Sequence, residues 1–180
     1  NQDLTMDAPV MPKASNTPGA SIDIKRVGII GAGQMGNGIA HVISVAGFAV
    51  ALNDLEKSRV DKGLAAIEKN MARQVAKGIL KDADMKAALK RIEYAPTIAD
   101  VGTCDLVIEA ATEDEALKRK IFTEVCKTLK PGALLASNTS SISITRLAAA
   151  TDRPELFIGM HFMNPVPLMQ LVELIRGIAT

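Results

Sequence analysis

Short apolar runs alternate with longer stretches of helical periodicity along most of the chain. The runs Arg26–Ile30 and Phe48–Leu52 predict buried strands, and residues 34–46 between them predict a helix. Four further strands are predicted at Asp105–Glu109, Ala133–Ala136, Leu156–Met160 and Leu171–Ile175. Because strands alternate with helices, the sequence predicts an α/β fold with a doubly wound, mostly parallel sheet.

Apolar residues at steps of three and four predict the remaining helices. The longest runs from about Glu56 to Lys77, and its apolar residues fall on one face. Shorter helices are predicted at Asp82–Ile92, Asp114–Thr128 and Ser143–Ala150. The polar, proline-containing residues 1–24 are interpreted as a flexible extension or a remnant of cloning, which leaves residues 25–180 as one domain.

Composition bears on partners and location. Lys and Arg number 21 against 20 Asp and Glu, so the net charge of +1 gives no argument for binding nucleic acid or an anionic membrane surface. No apolar run reaches the roughly 18 residues that a membrane span needs, and the first residues lack a signal-peptide pattern. Cys104 and Cys126 fit neither a metal site nor a disulfide framework, so we expect no metal and a cytoplasmic location.

A glycine-rich segment follows the first predicted strand. Residues 31–36 read Gly-Ala-Gly-Gln-Met-Gly, the G-x-G-x-x-G pattern, and a helix is predicted to follow. Gly31 is expected to allow the tight turn, Gly33 to let a diphosphate approach the backbone, and Gly36 to let the helix pack closely on the strand. Gln34 and Met35 complete this predicted cofactor loop at the positive end of the helix dipole.

Asp54 closes the second predicted strand, 18 residues beyond Gly36. A carboxylate at this place accepts hydrogen bonds from the ribose hydroxyls of NAD and repels the 2′-phosphate of NADP. No arginine follows immediately in the sequence. We therefore expect NAD as the cofactor.

The two histidines have different surroundings. His41 lies inside the first helix and is interpreted as a packed or solvated helix residue. His161 follows the strand Leu156–Met160, at the carboxyl end where open α/β sheets bind ligands. Glu173 stands in a strand that its apolar neighbours predict to be buried, where a carboxylate needs a partner. A turn between them would pair His161 with Glu173, either as a general base with its carboxylate or as a structural ion pair.

Two further segments carry candidate polar groups with open interpretations. The hydroxyls of Ser137–Ser141 either bind a substrate oxygen or cap the next helix. Lys69, Arg73 and Lys77 recur every four residues on the long helix, and they form either a phosphate-binding stripe or an ordinary solvated face.

Taken together, these segments resemble the L-3-hydroxyacyl-CoA dehydrogenase family, and within it the bacterial 3-hydroxybutyryl-CoA dehydrogenases. The matching segments run from about Lys25 to Thr180 and include Gly31–Gly36, Asp105–Ala110, Ser137–Ser141 and His161–Pro167. The resemblance implies an NAD-binding Rossmann domain and reversible oxidation of a short 3-hydroxyacyl-CoA to the 3-oxoacyl-CoA. A non-catalytic dinucleotide-binding module and another NAD-linked hydroxy-acid dehydrogenase remain as alternatives.

The resemblance also implies a role for individual residues. His161 would take the hydroxyl proton, Glu173 would orient it, and Ser140 would hydrogen-bond the substrate oxygen. Cofactor contacts would come from Glu113, Lys118 and Asn164, and a coenzyme A contact from Lys77, with Arg73 beside it in the same basic stripe. The family further has an all-helical C-terminal domain that completes the acyl pocket and forms a homodimer, and these 180 residues do not include it.

Overall fold

A single seven-stranded sheet organises residues 22–180, the part of the chain that the computed structural model describes. Its strands lie in the order β3-β2-β1-β4-β5-β6-β7, and all neighbours are parallel except the last pair, β6 and β7. The strands are β1 (Arg26–Ile30), β2 (Ala49–Asn53), β3 (Ile92–Ala95), β4 (Leu106–Glu109), β5 (Leu134–Ser137), β6 (Phe157–Phe162) and β7 (Val172–Arg176).

Five α-helices connect the strands and cover both faces of the sheet. They are α1 (Gln34–Val45), α2 (Lys57–Ala76), α3 (Asp82–Lys90), α4 (Glu115–Cys126) and α5 (Ile144–Ala148), with short 3₁₀ helices at Ile98–Val101 and Pro154–Leu156. One apolar core lies under α1, α2 and α3, and a second lies under α4 and α5. The predicted fold class, a doubly wound Rossmann-like sheet, is confirmed.

Alternation along the central strands supplies both cores. In β4, Leu106 and Ile108 face the first core, whereas Val107 faces the second. Successive side chains of a strand point to opposite faces, so a strand covered on both sides is apolar throughout. This explains why the predicted strands read as continuous apolar runs.

Two predictions about strands are wrong. The helix predicted to reach Ile92 ends at Lys90, and Ile92 begins the edge strand β3, which pairs with β2. The last strand is predicted to be buried, but β7 is exposed at all five positions, because β6 and α5 are its main neighbours in the described part of the chain and its faces stay largely uncovered. The extension predicted for residues 1–24 concerns mainly residues 1–21, which lie outside the described residues.

None of the helices described between residues 22 and 180 combines the length and the apolar character that crossing a membrane requires.

Candidate active site

The glycine loop after β1 has the close contacts that its sequence predicts. Gly31 adopts a φ of +105°, which side-chain-bearing residues rarely adopt, and a Cβ there would lie 2.7 Å from the carbonyl oxygen of Ala110. A Cβ on Gly36 would lie 1.7 Å from the carbonyl oxygen of Gly31, so α1 packs directly on the loop. By contrast, a Cβ on Gly33 would meet no atom within 4 Å among the described residues. The loop is thus tight inside and open toward the cleft.

The cleft in front of this loop lies between β1 and β4, where the chain switches from one side of the sheet to the other. Open α/β sheets bind their ligands at such a switch point. The cavity there has a volume of about 490 Å³ and is lined by the loop, by Asp54 and by residues of α2. Gly33 is the N-cap of α1 and offers no side-chain cap, and the first turn of that helix contains no acidic residue. Its N-terminal amides can therefore serve an anionic ligand.

Asp54 lies at one end of the cleft, just beyond β2. Its Oδ2 accepts a hydrogen bond from the Ala32 amide at 2.8 Å, and its Oδ1 accepts one from the Leu55 amide at 2.7 Å. The carboxylate therefore holds the glycine loop as well as lining the cavity. A second cavity continues from Asp54 to the apolar side chains of Leu55, Ile98, Leu117 and Ile121.

Hydrogen bonds join the other end of the cleft to the segments after β5 and β6. The Gln34 side-chain amide donates to Asn164 Oδ1 at 3.2 Å, which brings two predicted cofactor residues together. Glu113 Oε2 accepts from the Thr139 hydroxyl at 3.0 Å, and Glu113 lines a cavity with Met35. The first bond connects the glycine loop to the segment after β6, and the second connects the turn after β4 to the segment that contains Ser140.

The histidine and the glutamate face each other across β6 and β7. The antiparallel register pairs His161 directly with Glu173, and residues opposite each other on neighbouring strands share one face of the sheet. His161 Nδ1 lies 3.0 Å from Glu173 Oε2. The His161 side chain is 23% exposed and that of Glu173 is 51% exposed. The pair thus forms between β6 and the exposed edge strand β7, and the prediction that Glu173 lies in a buried strand is wrong.

Ser140 lies beside this pair. It is exposed, and it lines one cavity together with His161, Glu173 and Arg146. The cap of α5 comes from Ser143, whose hydroxyl accepts from the Arg146 amide at 3.3 Å. The helix cap is therefore supplied by Ser143 and not by a residue of Ser137–Ser141.

Lys118 lies in the interior of the domain and outside the cleft lining. Both Lys118 and Glu109 have side chains that are 0% exposed, and Lys118 Nζ lies 2.5 Å from Glu109 Oε1. The same carboxylate accepts from the Ser137 hydroxyl and from the Ala111 amide, each at 2.8 Å. In this conformation Lys118 supports the turn after β4 and has no surface with which to contact a cofactor directly. Sequence reasoning missed Glu109, although a carboxylate at the end of a buried strand signals such a pair.

The predicted coenzyme A contacts lie on the exposed side of α2. Arg73 and Lys77 are both exposed. On the same helix, Lys62 and Asn70 line the cleft in front of the glycine loop. Helical spacing places Arg73 and Lys77 one and two turns beyond Asn70 on that face, so the basic stripe continues the rim of the cleft.

His41, the other histidine, is a packed helix residue, which is one of the two roles considered for it. Its side chain is 1% exposed, and its Nε2 lies 2.8 Å from Gln74 Oε1 on α2. Burial lowers the pKa of His41, which favours the neutral ring, and the hydrogen bond with Gln74 opposes this effect. His41 therefore joins α1 to α2 and lies outside the cleft lining.

Comparison with known proteins identifies the domain. Residues 26–180 match the family model described as 3-hydroxyacyl-CoA dehydrogenase, NAD binding domain. The chain belongs to the 3-hydroxyacyl-CoA dehydrogenase family. The domain is thus an NAD-binding domain of this family, and the prediction of NAD is confirmed.

Individual relatives agree with this assignment. The chain is 64% identical over 157 residues to a 3-hydroxybutyryl-CoA dehydrogenase of Bradyrhizobium diazoefficiens, an alignment that covers 87% of this chain and 54% of that protein. The crystal structure of (S)-3-hydroxybutyryl-CoA dehydrogenase from Ralstonia eutropha superposes with a TM-score of 0.86 at 49% identity, covering 88% of this chain and 56% of that one. The chain also is 43% identical to a fatty acid oxidation complex subunit alpha of Pseudomonas entomophila, over 86% of this chain and 22% of that protein.

The chain therefore spans about half the length of the 3-hydroxybutyryl-CoA dehydrogenases that it matches.

Proposed function

We propose that the complete protein oxidises a short-chain 3-hydroxyacyl-CoA, such as 3-hydroxybutyryl-CoA, to the 3-oxoacyl-CoA with NAD. The observation that carries this proposal is the His161–Glu173 pair at the carboxyl edge of the sheet. It lies in the same structure as an NAD-binding cleft, and the Gln34–Asn164 and Thr139–Glu113 bonds connect the two regions. A module that only bound a dinucleotide would have no use for this pair.

His161 is the proton acceptor in this proposal. The Glu173 carboxylate accepts a hydrogen bond from Nδ1–H, which leaves Nε2 free to take the proton of the 3-hydroxyl group. Bound NAD would supply the acceptor for the hydride that leaves carbon 3 of the substrate. Glu173 also stabilises the imidazolium that forms, and in the reverse direction His161 returns the proton.

Ser140 and the basic stripe on α2 hold the substrate in this proposal. Ser140 shares a cavity with His161, and its hydroxyl can donate to the oxygen that becomes the ketone. Arg73 and Lys77 neutralise phosphates of coenzyme A, since guanidinium and ammonium groups bind phosphate through charge-assisted hydrogen bonds. Asn164 lies near the nicotinamide, and Glu113 contacts the cofactor. Lys118, predicted as a further cofactor contact, acts through the buried Glu109 carboxylate that it pairs with.

The first test compares the thioester with the free acid in the complete protein. We expect NADH formation from (S)-3-hydroxybutyryl-CoA and a kcat/KM at least about 100-fold lower for 3-hydroxybutyrate, because binding energy of the remote coenzyme A is lost. Equal kcat/KM for both would refute an acyl-CoA substrate and favour a hydroxy-acid dehydrogenase.

A pair of charge variants tests the stripe. Arg73→Gln with Lys77→Gln should raise the KM for the thioester several-fold and leave its kcat nearly unaltered, as loss of uniform binding does. Lys120→Gln is the matched control, since Lys120 is an exposed residue on α4, on the other face of the sheet. An equal rise in KM for the control would exclude a specific role of the stripe.

A further inference from the structure

One basic side chain reaches the ribose end of the NAD cleft. Arg59 lies in the first turn of α2, five residues after Asp54, and its Nη1 is 3.7 Å from Asp54 Oδ1. Its side chain is 56% exposed. It lines both cavities that meet at Asp54. The sequence shows no arginine directly after the acid, but the turn of the chain into α2 brings this one back to it.

The hydrogen bonding of Asp54 leaves little of its carboxylate free. Two backbone amides already donate to it, one to each oxygen, and the side chain is only 12% exposed. Lys62 lines the same cavity as Arg59. The charged residues that line this cavity are therefore two cations, Arg59 and Lys62, and one carboxylate, Asp54. Their net positive charge does not by itself exclude a phosphate on the 2′-oxygen of the ribose.

The Arg59 guanidinium keeps its donors available. Arg59 Nη1 lies 3.7 Å from Asp54 Oδ1, which is too far for a hydrogen bond. The interaction is therefore an electrostatic contact, and it occupies none of the five N–H donors of the guanidinium. The planar guanidinium binds phosphate oxygens in a bidentate manner, and an arginine near the ribose is what accommodates the 2′-phosphate in NADP-binding domains.

We propose that Arg59 is a specificity-determining residue that binds the 2′-phosphate of NADP(H) and so limits the preference for NAD set by Asp54. This inference rests on the proposed function and on the expectation from the sequence that Asp54 binds the adenosine ribose of the dinucleotide. Asp54 receives the ribose hydroxyls of NAD, and Arg59 offers an alternative anchor when a phosphate replaces the 2′-hydroxyl. The balance between the two side chains sets the ratio of NADPH to NADH affinity.

The test measures dinucleotide binding by calorimetry in the complete protein, without any acyl-CoA. Arg59→Gln should weaken NADPH roughly tenfold more than NADH, the size of one charge-assisted hydrogen bond. The same difference is expected between adenosine 2′,5′-bisphosphate and AMP, which carry the ribose end alone. Asp54→Asn should shift the ratio toward NADPH, and adding Arg59→Gln should remove that shift.

Lys57→Gln is the matched control. Lys57 lies two residues before Arg59, pairs with Asp61 at 2.9 Å, and is not among the residues that line either cavity. It should leave the NADPH-to-NADH affinity ratio as in the wild type. An equal change in the ratio for Lys57→Gln, or no change for Arg59→Gln, would overturn the proposal.

These outcomes are separate from those of the proposed function. If the wild type binds NADH and the ratio does not respond to Arg59→Gln, only the role of Arg59 is wrong. If the protein binds NADH as expected but does not oxidise the thioester, the dehydrogenase proposal fails and the Arg59 result stands.

Discussion

Removing the buried ammonium group of Lys118 should destabilise the domain strongly. Lys118→Met leaves the fully buried Glu109 carboxylate without its counter-ion, 2.5 Å from where the ammonium was. Removing one partner of a buried pair costs about 3–5 kcal/mol, because a buried charge is left uncompensated. The Ser137 hydroxyl and the Ala111 amide still donate to that carboxylate, so we expect a loss near the lower limit, about 3 kcal/mol. Urea unfolding followed by circular dichroism measures it.

A double-mutant cycle separates this loss from a mere change of shape. Glu109→Gln combined with Lys118→Met should cost clearly less than the sum of the two single changes, because each removes the other's unpaired charge. Lys127→Met is the surface control: its pair with Glu124 is exposed, so its loss should be at most about 1 kcal/mol. A loss for Lys118→Met no larger than that of the control, or strict additivity, would refute the reasoning.

Three further results are expected from unfolding and binding measurements. Gly36→Ala should lower the free energy of unfolding by about 1–3 kcal/mol or more, because its methyl group would overlap the Gly31 carbonyl oxygen. Gly33→Ala should leave the free energy of unfolding nearly unaltered, because its methyl group meets no protein atom, but it should weaken NADH binding in titrations, because that methyl group points into the space for the ligand. The pKa of Asp105 is lowered to about 2, chiefly by the hydrogen bond from the Lys130 ammonium. Its contribution to the free energy of unfolding is therefore full above about pH 4 and is lost as the pH falls to about 2. In an acid titration, the free energy of unfolding of Asp105→Asn should fall less steeply than that of the wild type over this range. Burial lowers the pKa of His41, so the unfolded chain binds a proton more readily and the free energy of unfolding falls as the pH drops below about 6.5. In urea titrations, His41→Gln should lose less of its free energy of unfolding between pH 7 and pH 5 than the wild type does.

Local patterns predicted most of the fold. The unit from β1 through the glycine loop and α1 to β2 was predicted almost to the residue, because a buried strand, a G-x-G-x-x-G turn and an amphipathic helix each have a signature within a few neighbouring residues. The edge strand β3 was missed because its four residues, Ile92–Ala95, continue a helical pattern, and only pairing with β2 makes them a strand.

Features that depend on tertiary contacts were not predictable in this way. The apolar residues of β7 suggested a buried strand, but composition does not show whether any element covers a strand that lies at the edge. Glu109 and Lys118 are nine residues apart across a turn, and their pairing needs α4 to pack on the sheet. Arg59 lies five residues beyond Asp54 in the sequence, and only the fold brings the first turn of α2 back to that carboxylate.

The role of His161 as proton acceptor is the central claim, and one rate constant tests it most directly. In the complete protein, His161→Gln should lower the kcat for oxidation of (S)-3-hydroxybutyryl-CoA by about 10²–10⁴-fold, the contribution of a positioned general base. NADH binding, measured on the same sample, verifies that the cofactor cleft is formed. A kcat within about threefold of the wild type would contradict the claim, since this is far below the effect of losing a general base.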